Sequence, residues 1–250
     1  MRIFHLIALL FCVATIAGCG NKGPVRPLEV PLPNAVQAPE LRQQGDALLI
    51  GWQLPTTNQD GSPLEHEPIV DIYRMTYDPQ DDCPECFDRS TLLVSINPQL
   101  PTPAQKIDGR YRYHDRPLQP GTGYQYKLIV RNRDNEQSQP IILRQDYQEP
   151  LPAPVNFTAI PRDRSVSLQW EKPELATGDN LLGYLVYRRF SGASLSQLTK
   201  QPLTAPNFED FSLENGTSYS YRVRALVQRG KQQLEGLASP ELKVIPQAGI

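Results

Sequence analysis

Histidine and cysteine are scarce in this chain, and each scarcity removes a class of function. Of three histidines in 250 residues, His5 lies in an apolar leader, so only His66 and His114 remain for acid–base or nucleophilic chemistry. No serine stands out beside either one. No Gly-x-Ser-x-Gly, His-Glu-x-x-His or phosphate-loop string occurs, and no pair of carboxylates suggests general acid–base work. The four cysteines include no second Cys-x-x-Cys pair to complete a tetrahedral metal site. A formal net charge of −2 supplies none of the basic surplus that nucleic-acid binding requires. Beyond Ile16, no apolar stretch approaches the roughly 20 residues of a membrane-spanning helix. The expectation is a non-enzyme with no catalytic residues, cofactor, resident metal or nucleic-acid partner.

What is present begins at the front. Met1 and Arg2 lead into an apolar run from Leu6 to Ile16, which ends in Ile16-Ala17-Gly18-Cys19. A positive residue, an apolar core and small residues before a cut site make an export signal. The segment resembles a bacterial lipoprotein signal with its lipobox. The resemblance implies removal of residues 1–18 and a diacylglyceryl thioether plus an amide-linked acyl chain, such as palmitate, on Cys19. Several such chains hold a protein on a membrane stably. Gram-negative members retained in the inner membrane usually carry aspartate after the cysteine. Gly20 therefore implies the outer membrane, with the body facing the periplasm and the lipid as its only membrane contact. Residues 19–39 carry Pro24, Pro27, Pro31, Pro33 and Pro39. Proline fixes φ and removes a donor, so this stretch reads as an extended stalk, reaching roughly 60 Å at ~3.1 Å per residue.

The remainder contains one pattern twice. Leu48, Ile50 and Trp52 alternate with Ala47, Leu49 and Gly51, as Val166, Leu168 and Trp170 alternate with Ser165, Ser167 and Gln169. Period-two spacing is what a strand with one buried face requires, although Leu49 weakens it. Next come Ile69-Val70-Asp71-Ile72-Tyr73-Arg74 and Gly183-Tyr184-Leu185-Val186-Tyr187-Arg188. Val70 and Ile72 match Tyr184 and Val186 as inward positions, which puts Tyr73 and Tyr187 on the other face. The third element runs from Asp115 to Tyr126 and from Asp210 to Tyr221, with Asp, Leu, Gly, Thr, Tyr and Tyr at the same offsets. Pro120-Gly121 and Asn215-Gly216 supply turns that tolerate positive φ. Tyr124 and Tyr219 occupy the place of a tyrosine corner.

An early-strand tryptophan followed by Leu-x-x-Gly-Thr-x-Tyr-x-Tyr resembles fibronectin type III modules of about 100 residues. The implied fold is all-β: two tandem immunoglobulin-like sandwiches over residues 40–148 and 155–246, joined by a proline-rich linker at 149–154. Trp52, Tyr124, Trp170 and Tyr219 are the structural residues. The second copy has 49 residues from Trp170 to Tyr219, whereas the first has 72 from Trp52 to Tyr124. The excess is assigned to an insertion at 77–107.

That insertion holds Cys83-Pro84-Glu85-Cys86. Three readings stay open. A disulfide suits an oxidising compartment, and a ring this small contributes only about 2 kcal/mol before strain. A metal half-site would need two further ligands. A redox dithiol would want a helix N-terminus beside a βαβ pattern, which is missing here.

The function expected is that of a lipid-anchored envelope protein acting as a protein-binding or scaffolding module, with one or more envelope proteins as partners. The candidate contact residues are Tyr73, Arg74, Tyr187 and Arg188, since aromatic and arginine side chains are favoured at binding hot spots. The alternatives are a carbohydrate-associated module and a thiol or metal role for Cys83 and Cys86.

Overall fold

Apolar alternation over short stretches, broken by prolines and turn glycines, builds strands throughout. The computed structural model describes residues 31–80, 88–190 and 193–249, and every named element among them is a strand. The signal segment, Cys19 and most of the stalk, together with Cys83 and Cys86, lie outside the described residues.

The first sandwich comprises β1 (Gln37–Gln44), β2 (Ala47–Gln53), β3 (Ile69–Tyr77), β4 (Thr91–Ile96), β5 (Gln105–Ile107), β6 (Arg110–Asp115), β7 (Gly123–Arg131) and β8 (Ile141–Asp146). The second comprises β9 (Val155–Arg162), β10 (Ser165–Glu171), β11 (Asp179–Phe190), β12 (Ser196–Gln197), β13 (Asn207–Phe211), β14 (Tyr219–Arg229), β15 (Gln232–Glu235) and β16 (Leu242–Val244). The fold is all-β and immunoglobulin-like, with two face-to-face sandwiches.

Each sandwich encloses its own core. In the first, Trp52 is fully buried and stacks on Tyr111, with ring centroids 5.6 Å apart. In the second, Trp170 meets the edge of Tyr184 at 5.3 Å. Tyr124 Oη accepts the amide of Gln119 (2.9 Å), and Tyr219 Oη accepts the amide of Glu214 (3.1 Å). Each bond ties the turn before the strand to a buried ring. That is the geometry of a tyrosine corner.

The sheets do not stop at the boundary between the sandwiches. One sheet runs β4-β3-β7-β8 and another β13-β10-β9. The third has nine strands in the order β12-β11-β14-β15-β1-β2-β6-β5, with β16 also paired to β14. It spans both halves, because β1 of the first pairs in parallel with β15 of the second at Gln44 and Glu235. The amide of Gly45 donates to Glu235 O at 2.7 Å, which completes the seam.

One expected bound changes, and two further segments gain detail. Residues 32–39, read as stalk, already belong to the first sandwich. Val36 is buried in its core, and the amide of Asn34 donates to Thr57 O (3.2 Å). Proline is excluded from ladder interiors but tolerated at a strand's start or edge. The prolines here therefore marked an edge as much as a stalk. The linker at 149–154 is packed. Leu151 is buried against Val227 and Leu234, and its carbonyl accepts the amide of Leu237 (2.9 Å). The insertion at 77–107 contributes structure, since it carries β4, which pairs with β3, and β5, which pairs with β6.

Candidate functional site

Two strands with a basic residue at every second position supply the site. Along β6 and just past it, Arg112, His114 and Arg116 alternate with Tyr113 and Asp115. Period two sends the first set outward, while Asp115 is buried. Along β14, Arg222 and Arg224 alternate with the buried Tyr221, Val223 and Ala225 in the same way. Tyr187 and Arg189 on β11 share that outer face. The continuous sheet then brings the outer face of β6 and that of β14 around one cleft of about 470 Å³ at the junction of the sandwiches.

The floor of the cleft is a buried polar network. Glu235, whose side chain is 1% exposed, pairs with Arg42 and with Arg224 (3.4 Å). It also accepts the hydroxyl of Tyr187 (2.6 Å) and the amide nitrogen of Gln44 (3.0 Å). Gln44 Oε1 in turn accepts His114 Nε2 at 2.8 Å. Burial holds the Tyr187 phenol above its usual range, with Glu235 adding to the rise, and keeps it a donor. Burial also lowers the Arg224 guanidinium, against the opposing pull of Glu235. His114 is pushed down to about 4, first by burial and then by Arg116, Arg224, Arg42 and Arg112. It is therefore a neutral imidazole at neutral pH.

The walls carry more cation than anion. Arg189 and Arg222 share the single carboxylate of Glu241, the latter at 2.8 Å. Arg116 pairs with Asp46 at 3.2 Å, both half-exposed. Among the described residues the Arg112 guanidinium has no hydrogen-bonding or ionic partner, and Arg222 Nε is buried without a hydrogen bond. Leu49, Ile107 and Leu195 add apolar surface between the guanidiniums. Leu49, the outward residue that breaks the alternation of β2, lines this cleft and is 2% exposed.

The four contact residues expected from sequence separate into three cases. Arg74 and Arg188 are not outward. They lie two positions beyond Ile72 and Val186, on the inner side of their strands. Arg74 Nη1 donates to both oxygens of Asp115 (3.0 and 2.9 Å), and Tyr126 Oη donates to the same carboxylate (2.6 Å). The second sandwich repeats this triad with Arg188, Asp210 and Tyr221, at 3.1, 2.9 and 2.7 Å. Charge made these arginines look like surface, whereas each closes the end of a core through a buried ion pair. Tyr187 does lie on the outer face, but that face is covered by the first sandwich, and its hydroxyl is committed to Glu235. Tyr73 stays half-buried on the outer face of β3, with Lys127 Nζ 5.2 Å from its ring.

His66 and His114 are held in different places: His66 faces Arg133 at 3.0 Å, while His114 faces Gln44. Among the described residues no three His, Cys, Asp or Glu side chains gather as a metal site.

With this geometry in view, residues 152–239 match the Fibronectin type III domain family. Among solved structures, the chain is similar to one titled a myokine structure, with a TM-score of 0.31 and 21% identity over 38% of this chain and 96% of that one. It is also similar to the chicken CNTN1 FN1-FN3 domains, with a TM-score of 0.32 and 15% identity over 87% of this chain and 68% of that one.

Proposed function

We propose that this chain is a non-enzymatic, lipid-anchored scaffold of the bacterial envelope that binds a partner protein through its paired sandwiches. The observation that carries the reading is the match of the second sandwich to the fibronectin type III family, whose modules commonly mediate protein interaction. The nine-stranded sheet supports it, because it fixes both modules in one frame and gives a partner a preset surface. The anchor would be the acylated Cys19 in the outer membrane, with the body in the periplasm. The stalk preceding residue 31 would set its reach. In that compartment Cys83 and Cys86 would form a local disulfide. Trp52 and Trp170 are buried, so neither indole offers the exposed platform a carbohydrate module needs.

Crosslinking in intact cells, followed by purification of the full-length protein from envelope extracts, tests the reading. The expected result is a discrete crosslinked protein and an N-terminal peptide carrying lipid on Cys19. An unacylated product with no crosslinked partner would overturn it. Thiol titration with and without reductant reads the state of Cys83 and Cys86 in the same preparation.

A further inference from the structure

The cleft between the sandwiches carries more guanidinium than the carboxylates among the described residues neutralise. Five arginines line it, Arg112, Arg116, Arg189, Arg222 and Arg224, against one lining carboxylate, Glu241. The pairing confirms the imbalance. Glu241 serves Arg189 and Arg222, Glu235 beneath it serves Arg224 together with Arg42, Asp46 serves Arg116, and the Arg112 guanidinium has no partner among the described residues. This occurs in a chain whose overall charge is slightly negative, so the cleft is a local inversion of sign. A concave site with low-dielectric walls focuses such a field. Guanidiniums present planar donor forks that match carboxylates.

The layout also bears on what fits. The arginines come from three strands, Arg112 on β6 with Arg116 just past it, Arg189 on β11, and Arg222 and Arg224 on β14. Leu49, Ile107 and Leu195 lie among them, so the lining alternates charge with apolar surface. An extended peptide with spaced carboxylates and a few apolar side chains complements both. The volume of about 470 Å³ accommodates a few residues of chain.

We propose that this cleft is the docking site for an acidic segment of a partner protein, whose carboxylates are read by Arg112, Arg116, Arg189 and Arg222. The proposal rests on the protein-binding reading above and names the chemistry of the segment recognised. Arg224 plays a different part: it is committed to Glu235 and to Gly236 O (2.7 Å), so it holds the floor.

The test uses the full-length protein in detergent and a fluorescein-labelled decaglutamate peptide followed by anisotropy. Binding that weakens with added salt is expected, because the contacts are exposed enough to be screened. The double variant R112Q/R116Q removes one unpartnered and one half-exposed arginine. It should weaken the peptide about tenfold or more while leaving the melting temperature unchanged. Occupancy should also raise the His114 pKa seen by NMR titration, since bound carboxylates cancel the field around that ring. Undetectable binding of the peptide, or equal binding to the variant, overturns the proposal. So does displacement by inorganic phosphate at the peptide's own half-saturating concentration, which would indicate a single-anion site. A crosslinked partner that still binds R112Q/R116Q defeats the cleft but leaves the scaffold reading standing. The loss of every partner from the wild-type protein defeats the scaffold reading itself.

Discussion

Gln44 and Glu235 are partners in one parallel strand pair although 191 residues separate them, and their side chains are bonded as well as their strands. That single register joins two sandwiches into one sheet. Its energetic weight falls on Glu235, which faces Arg42, Arg224, Tyr187 and Gln44 from almost complete burial. Each sandwich also carries its own tryptophan, so the two halves can be watched separately.

Glu235→Ala is expected to destabilise the junction by about 3–5 kcal/mol, because it strands the buried Arg224 without its carboxylate. Urea unfolding of Trp52→Phe and Trp170→Phe backgrounds would follow one half at a time. In the parent backgrounds the two transitions should coincide. With Glu235→Ala they should separate. Coincident, unshifted curves in the Ala variants would show that the seam contributes nothing.

Asp115→Ala and Asp210→Ala should each cost about 2–3 kcal/mol, a figure discounted because the arginine partners are partly solvated. The side chains of Arg74 and Arg188 are 33% and 26% exposed, whereas the carboxylates are 2% and 6% exposed. Tyr126→Phe and Tyr221→Phe should cost about 1 kcal/mol each, since they delete a donor but leave the ion pair. Denaturation midpoints at constant slope read all four. An aspartate variant as stable as wild type would reduce the triads to surface decoration.

His114 gives a pH dependence of known sign. Its folded pKa, about 4, lies below the ordinary 6.5. The unfolded chain therefore binds the extra proton between these values. The charged groups facing the ring are Arg42 from β1, Arg112 and Arg116 flanking it along β6, and Arg224 from β14. Stability linked to this ring should be complete above about pH 6.5 and fall progressively towards about pH 4, by ~2 kcal/mol after allowing for its exposed edge. His114→Gln should flatten that segment relative to wild type. A wild-type stability that falls no further between about pH 7.5 and about pH 5 than that of His114→Gln, read from urea midpoints, would refute the assignment.

Gly183→Ala should destabilise the second sandwich by about 1–3 kcal/mol. The residue has φ of +146°, and a Cβ there would stand 2.5 Å from Leu203 O. That carbonyl accepts the amide of Tyr184 at 2.9 Å, so it cannot retreat without breaking a backbone bond. A thermal scan of the variant suffices, and an unchanged midpoint would mean the backbone yields freely.

Local repetition is what made the fold readable. The tryptophans, the corner tyrosines and the aspartates of both triads recur within short windows whose periods state which face is inward. The arginine members of the triads were misplaced because charge was weighed above period: Arg74 and Arg188 continue the inward series of Ile72 and Val186. The junction left a fainter trace. Leu49 is legible as an outward apolar residue, but nothing nearby reveals that it lines a cleft shared with Tyr187 on β11, some 140 residues later. The cleft was hidden by averaging. Arg112, His114 and Arg116 form one alternating basic run and Arg222 with Arg224 another, yet a near-neutral total conceals both, and only the parallel pairing at Gln44 brings them together.

The long sheet ends in β12 and β5, which are two and three residues in length. Terminal strands so brief offer too few free amides and carbonyls to template a neighbouring chain. Neither end of that nine-stranded sheet therefore gives a second copy much of a ladder to extend.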